Sequence, residues 1–236
     1  MKKYLLKDSA SKNLIYHWLR SGIQHYVSNS RLHWNDEDSL CGHFFSSISG
    51  LCSVPTGTLN IRSYKVRGRG PAAREKKLGA DGLGLISIKT QGADLAGFFL
   101  FQAKKAISEG QQLRGAKAEC STMLAHSPAS YLLVLMPAEV KMVGAMAVTA
   151  IHSADPTLSN LPYVGFPRFM TEQVLHGLML EPLAQLRETL SFDLLQEVSH
   201  VVQVTGGTDE TIEDAMSTLN KQLGELDLDL VDHQVQ

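Results

Sequence analysis

Three polar residues on two neighbouring stretches of this chain have the types and the spacing for chemistry on a phosphodiester. Asp81 follows Gly79-Ala80 and precedes Gly82, a composition that turns the chain sharply and lets a carboxylate project into a cleft. Gln102 and Lys104 stand two apart in FFLFQAK (98–104), so the period of a strand puts both on one face. A hard cation such as Mg²⁺, or Mn²⁺ in its place, takes oxygen ligands and keeps several waters. Asp81 offers a charged oxygen; the Gln102 amide oxygen or the Ala103 main-chain carbonyl offers a neutral one. Lys104 cannot ligate the cation, but its ammonium can hold an attacking water and stabilise charge on a pentavalent phosphorus. One carboxylate binds Mg²⁺ poorly, so a second is expected from elsewhere. Glu37 is the candidate, with Asp36 and Asp38 beside it in the same acidic run.

Each residue has an ordinary alternative. A lone Asp in Gly-Ala-Asp-Gly serves an Asx turn, and a Lys at a strand end is solvated. The joint reading is favoured because burying Gln102 and Lys104 beside Phe98, Phe99, Leu100 and Phe101 without partners is costly. Glu75 reads as a cap or a partner of Arg74 before it reads as a ligand. The string Gly68-x-Gly70-x-x-Ala73 mimics a dinucleotide fingerprint, but Pro71 interrupts it and no helix follows. His17, His25, His126, His152, His176 and His200 are scattered and receive no role. Met136, Met142, Met146, Met170 and Met179 read as core filling.

The elements that must position these residues follow from periodicity. Helical spacing covers 9–27 and about 35–51, the second with Asp36, Glu37 and Asp38 in its first turn, where the helix dipole favours negative charge. From Leu59 the period becomes two, giving an edge-like strand at 59–64. Strands at 83–89 and 98–104 follow, the latter apolar on both faces and so central. A helix over 111–125 and a strand at 131–136 complete a crossover that adds a parallel strand, which makes the fold α/β. Beyond that come a strand-to-helix passage at 140–151, helices at 169–180 and 187–197, a short strand at 200–205 and a helix at 209–222, fraying from Glu225. The expected division is a core over 1–137 and a C-terminal extension over 138–236 packed on it, acidic from about 209.

The 236 residues are 44% hydrophobic and 19% charged, which suits one sizeable core and excludes bulk disorder. The N-terminus has lysines but no apolar stretch of the signal-peptide kind, and Pro137, Glu139 and Lys141 interrupt the most apolar segment; no membrane association and a cytoplasmic location are expected. Cys41, Cys52 and Cys120 are too few for a disulfide framework and read as buried helix-packing residues. The net charge of −2 hides an uneven distribution. Residues 65–77 hold six cations against Glu75, and a strongly acidic stretch at 209–232 masks them. Lys65, Arg67, Arg69, Lys76 and Lys77 are therefore the expected phosphate contacts to a DNA backbone.

WNDEDSLCG (34–42), EKKLGADG (75–82) and FFLFQAKKA (98–106) together resemble the PD-(D/E)XK, or restriction-endonuclease-like, superfamily, in the variant with Gly-Ala-Asp for Pro-Asp and Gln-x-Lys for Glu-x-Lys. The resemblance spans roughly residues 31–137 and points toward bacterial nuclease domains of restriction and anti-phage defence systems. It implies a mixed central sheet of about four or five strands flanked by helices, with a helical C-terminal extension. It also implies Asp81 as central metal ligand, Gln102 as the replaced second ligand, Lys104 as the catalytic lysine and Glu37 as the helix-borne acid. The implied activity is Mg²⁺-dependent endonucleolytic cleavage of DNA. The alternatives are a nuclease-fold subunit that binds DNA or a partner without cutting, favoured by the neutral Gln102, and a Holliday-junction or repair nuclease. A partner protein of a defence system is compatible with the resemblance, and so is a homodimer in which two sites face two strands.

Overall fold

Leucine and aromatic residues at three- and four-residue intervals wind the first described segment into α1 (Ser9–Asn29), which buries Ile15, Leu19, Ile23 and Tyr26. The structure, a computed structural model, describes residues 9–66, 77–90, 93–178, 180–226, 228 and 230–232. Arg67, Arg69 and Lys76 of the expected phosphate contacts lie outside these residues, as do Arg74, Glu75 and Met179. Helix α2 (Glu37–Ser47) is capped by Asp36, whose carboxylate accepts from the main-chain N–H groups of Asp38 and Ser39. It ends four residues short of the expected Leu51. Gly50, at φ +135°, instead starts β1 (Gly50–Val54), a strand that helical periodicity concealed. Pro55-Thr56 then turn the chain into β2 (Gly57–Val66), with Val54 facing Gly57.

β3 (Gly82–Thr90) and β4 (Ala93–Lys105) form an antiparallel pair in which Gly82 faces Phe101 and Gly84 faces Phe99. The two phenylalanine rings occupy the space a Cβ at either glycine would take, which explains glycine in an otherwise apolar strand. Helix α3 (Ala116–His126) begins five residues later than expected because Gly115, at φ +73°, breaks the helix before it. β5 (Ser130–Leu135) lies parallel to β4, as the crossover requires, and β6 (Val140–Gly144) runs back beside it into α4 (Ala145–Ala150). β7 (Val164–Gly165) and α5 (Phe166–Glu172) follow; the expected helix at 169–180 starts earlier and gives way to a 3-10 turn at Val174–His176. After β8 (Glu181–Pro182), the helix expected at 187–197 is split into α6 (Leu186–Thr189) and α7 (Phe192–Leu195), the second capped by Ser191. β9 (His200–Gly207), α8 (Ile212–Leu226) and β10 (Leu230–Asp232) complete the described chain.

Among the described residues the sheet has ten strands, not four or five, in the order β1-β2-β9-β3-β4-β5-β6-β7, with β10 also on β2 and β8 on β4. β2 is not an edge: β9 covers one side, and β1 and β10 share the other. β9 is parallel to β3, antiparallel to β2 and buried at every residue, so a strand from the C-terminal portion lies inside the sheet. Within the stretch expected to fray from Glu225, Leu226 still belongs to α8 and residues 230–232 pair with β2, Leu230 facing Val66 and Asp232 facing Tyr64.

Helices cover both faces. Residues of α1, α2 and α5 pack with Phe99, Phe101 and Ala103 on one side, and residues of α3, α4 and α8 pack with Phe98 and Leu100 on the other. This alternation along β4 assigns Gln102 and Lys104 to the α3 side. Cys41 and Cys120 are buried on helices, whereas Cys52 lies on β1, and Met146 is exposed, contrary to the core role expected of it. Lys141, expected only as a charge breaking an apolar run, is 3% exposed on β6, ion-paired to Glu109 and Glu139 with its ammonium over the Tyr163 ring. Among the described residues no helix is long and apolar enough to cross a membrane.

Candidate functional site

Asp81 stands one residue before β3, held by main-chain bonds on two sides. Its N–H donates to the Phe101 carbonyl at 2.9 Å, and its own carbonyl accepts from the N–H groups of Ser199 and His200 at 2.7 and 3.0 Å. Gly79, at φ +70°, makes the preceding turn where the chain passes against the Glu119 carbonyl of α3. The Asp81 Oδ2 then accepts from the Ala103 N–H at 2.9 Å, which fixes the carboxylate against β4.

Glu37 approaches the same strand from the opposite layer. Its Oε2 accepts from the Lys105 N–H at 2.8 Å, while the Lys105 ammonium donates to the Trp34 and Asn35 carbonyls just before α2. Burial raises the Glu37 carboxyl above the usual carboxylate range; the negative charges of Asp81 and Glu119 push it the same way, against the Lys105 N–H and the Lys104 ammonium. Two carboxylates from distant segments thus converge at the C-terminal end of β4.

A cavity of about 360 Å³ opens here, and Glu37, Asp38, Lys65, Asp81, Ala103 and His200 are among its lining residues. A second, of about 500 Å³, is lined by Glu37, Lys104, Lys105, Gln111, Gln112, Leu113 and Arg114, so Glu37 stands between the two. The structure therefore brings Glu37, Asp81 and Ala103 together and sets Lys104 in the adjoining space. Gln102 lines neither cavity. It is 4% exposed, its Nε2 donates to the Ala103 carbonyl at 3.2 Å, and its buried Oε1 has no hydrogen-bond partner among the described residues. Among the described residues no group of three or more His, Cys, Asp or Glu side chains is placed to hold a metal.

The expected cationic set divides. Lys65 is engaged, its Nζ 2.6 Å from Asp38 Oδ2, while Lys77 is exposed. Arg67, Arg69 and Lys76 are beyond the described residues.

Three further residues belong to the site. Glu119, in the first turn of α3, lies 2.8 Å from the Lys104 ammonium. Asp38 bonds Lys65 with one oxygen and His200 Nε2 with the other at 2.8 Å; the His200 hydrogen bond and then Lys65 hold its carboxyl well below the usual range, against the effect of burial. His200, assigned no role from the sequence, is 1% exposed. Glu119 had a signal in the sequence, an acid one crossover after Lys104, whereas nothing local pairs residue 200 with residue 38. Burial and then Glu119 push the Cys120 thiol up to about 12, which disfavours the thiolate. No protein-family model, no curated protein and no solved structure matches the chain.

Proposed function

We propose that this chain is a metal-dependent nuclease of the PD-(D/E)XK kind that hydrolyses DNA phosphodiesters. The observation that carries the reading is the meeting of Glu37 and Asp81 at one end of β4 with the Lys104 ammonium beside them. The donor set fits Mg²⁺ or Mn²⁺: the Glu37 carboxyl, the Asp81 carboxylate and a neutral carbonyl at Ala103, all lining one cavity. Glu37, Asp81 and the Ala103 carbonyl would hold the ion, whereas Gln102, expected as a second ligand, lines neither cavity. When bound, the ion supplies a Lewis acid for the phosphoryl oxygen and lowers the pKa of a bound water.

The remaining work falls to the chain itself. Lys104 holds the attacking water or a non-bridging phosphate oxygen and offsets charge as it develops on phosphorus. Glu119 pairs with the ammonium at 2.8 Å and orients it, in a setting where the lysine side chain is only 15% exposed. Lys77 is exposed, and with Arg67, Arg69 and Lys76 it supplies cationic charge for the DNA backbone. The defence context, a protein partner and a dimer rest on the resemblance alone.

A second reading, a nuclease-fold subunit that binds without cutting, is favoured by the sealed position of Gln102 and by the engagement of Lys104 with Glu119. Incubating plasmid DNA with wild type and Asp81→Ala, in Mg²⁺ or in EDTA, separates the two. Nicking or linearisation by wild type in Mg²⁺ alone is the expected result. Intact plasmid with wild type, at a protein concentration where it binds DNA, would favour the non-cutting subunit.

A further inference from the structure

We infer that His200 is a positioning residue of the candidate metal site, holding Asp81 through its main chain and the helix that carries Glu37 through its imidazole. The inference rests on the nuclease reading and adds the device that sets the spacing of the two carboxylates.

The geometry converges on residue 200. In the sheet His200 faces Gly82 across the parallel pair with β3 and Lys65 across the antiparallel pair with β2. Its N–H donates to the Asp81 carbonyl at 3.0 Å, alongside that of Ser199 at 2.7 Å. Its side chain is 2% exposed, and Nε2 lies 2.8 Å from Asp38 Oδ1, while the Lys65 ammonium, 2.6 Å from Oδ2, takes the other oxygen. Asp38 is the residue after Glu37 in the first turn of α2. One strand start is therefore bonded both to the turn that presents Asp81 and to the turn that presents Glu37.

Such a clasp has work to do in this fold. Glu37 and Asp81 come from different layers and are 44 residues apart in the chain. No single element carries both; β4 holds each by one main-chain bond, Asp81 at the Ala103 N–H and Glu37 at the Lys105 N–H, and Mg²⁺ tolerates little error in the placing of its oxygen ligands. The contact from Glu37 to the Lys105 N–H fixes one point of α2 against β4; the Asp38–His200 bond fixes a second, against β9. Two fixed points constrain the tilt of the helix as well as its distance. Groups that orient metal ligands without touching the ion typically change affinity or activity by about 10–100-fold when removed.

The test uses the full chain and Mn²⁺ alone as probe, read by calorimetry, with thermal unfolding and DNA cleavage measured on the same samples. His200→Leu and Asp38→Ala should each weaken Mn²⁺ by about 10–100-fold, with kcat falling in step and KM for DNA unchanged. His200→Gln, which retains an N–H able to reach Asp38, should recover most of the affinity. Wild-type Mn²⁺ affinity in both His200→Leu and Asp38→Ala, with only the melting temperature lowered, would reduce the clasp to fold stabilisation and overturn the inference. If His200→Leu does not fold, Asp38→Ala decides, because Asp38 is partly exposed and alanine suits a helix. A wild type that binds no Mn²⁺ overturns the nuclease reading and this inference together, whereas Mn²⁺ binding that both variants leave untouched overturns this inference alone.

Discussion

The Lys104 ammonium and the Glu119 carboxylate face each other at 2.8 Å, across the space between the end of β4 and the first turn of α3. The parallel crossover from β4 to β5 creates this contact, because it lays α3 over the strand face that carries Lys104. The pair is only partly exposed, at 15% and 32% of the two side chains, so its geometry is better defined than that of a surface ion pair.

Lys104→Ala should lower the rate of DNA cleavage by more than about 100-fold, the scale seen when one donor to a developing charge is removed. Glu119→Gln keeps an acceptor for the ammonium and should cost about tenfold. Cleavage rates at saturating Mg²⁺ check both, and equal losses in the two variants would assign Glu119 more than orientation.

Gln102→Glu places a carboxylate at a position that is only 4% exposed, where ionisation is costly. The melting temperature should fall by about 5–10 °C. Glu37→Gln still accepts from the Lys105 N–H, so its melting temperature should change little while Mn²⁺ affinity drops by more than about tenfold. Thermal scans with and without Mn²⁺ read both outcomes.

Lys65 is committed to Asp38, so Lys65→Gln should change the slope of log affinity against log salt by less than about one unit. Replacing Arg67, Arg69, Lys76 and Lys77 by Gln should make that slope shallower by up to about 3–4 units. The measurement is DNA binding in Ca²⁺ at several salt concentrations. An unchanged slope in the fourfold variant would move the DNA interface to Lys105, Arg114 and Lys117.

The acid limb of stability should report on His43. Burial, followed by the charges of His33 and His25, lowers its pKa, while a bond to the Tyr26 main chain opposes them; its ring stacks on His33 at 4.5 Å and its buried Nε2 has no hydrogen-bond partner among the described residues. A histidine whose folded pKa is depressed contributes stability that is fully present above the unfolded value, near 6.5, and is lost as pH falls through the folded value. His43→Phe should flatten this limb, removing up to about 1.4 kcal/mol per pH unit at most. Urea unfolding of wild type and variant between pH 7.5 and 5 tests it.

The local placement of the candidate residues was legible in the sequence. Strand period put Gln102 and Lys104 on one face, glycine composition put Asp81 at a turn, and the acidic run placed Glu37 in a helix first turn; each is a property of a few consecutive residues. The same local reasoning failed at Gly50, where a helical pattern continued past the residue whose backbone breaks it, and at Gly115, where it ran ahead of the helix.

What the sequence by itself determined is the set of chemically able side chains and the short elements that carry them, because backbone periodicity couples residues two to four apart. Only the tertiary structure decided that β9 enters between β2 and β3, that His200 closes on Asp38 162 residues away, and that Glu119 meets Lys104. Strand alternation makes a segment ready to pair without naming its partner. That choice falls to the packing of two helical layers on one sheet, where the loss of water from apolar surface, summed over the whole core, selects among registers no single segment can distinguish.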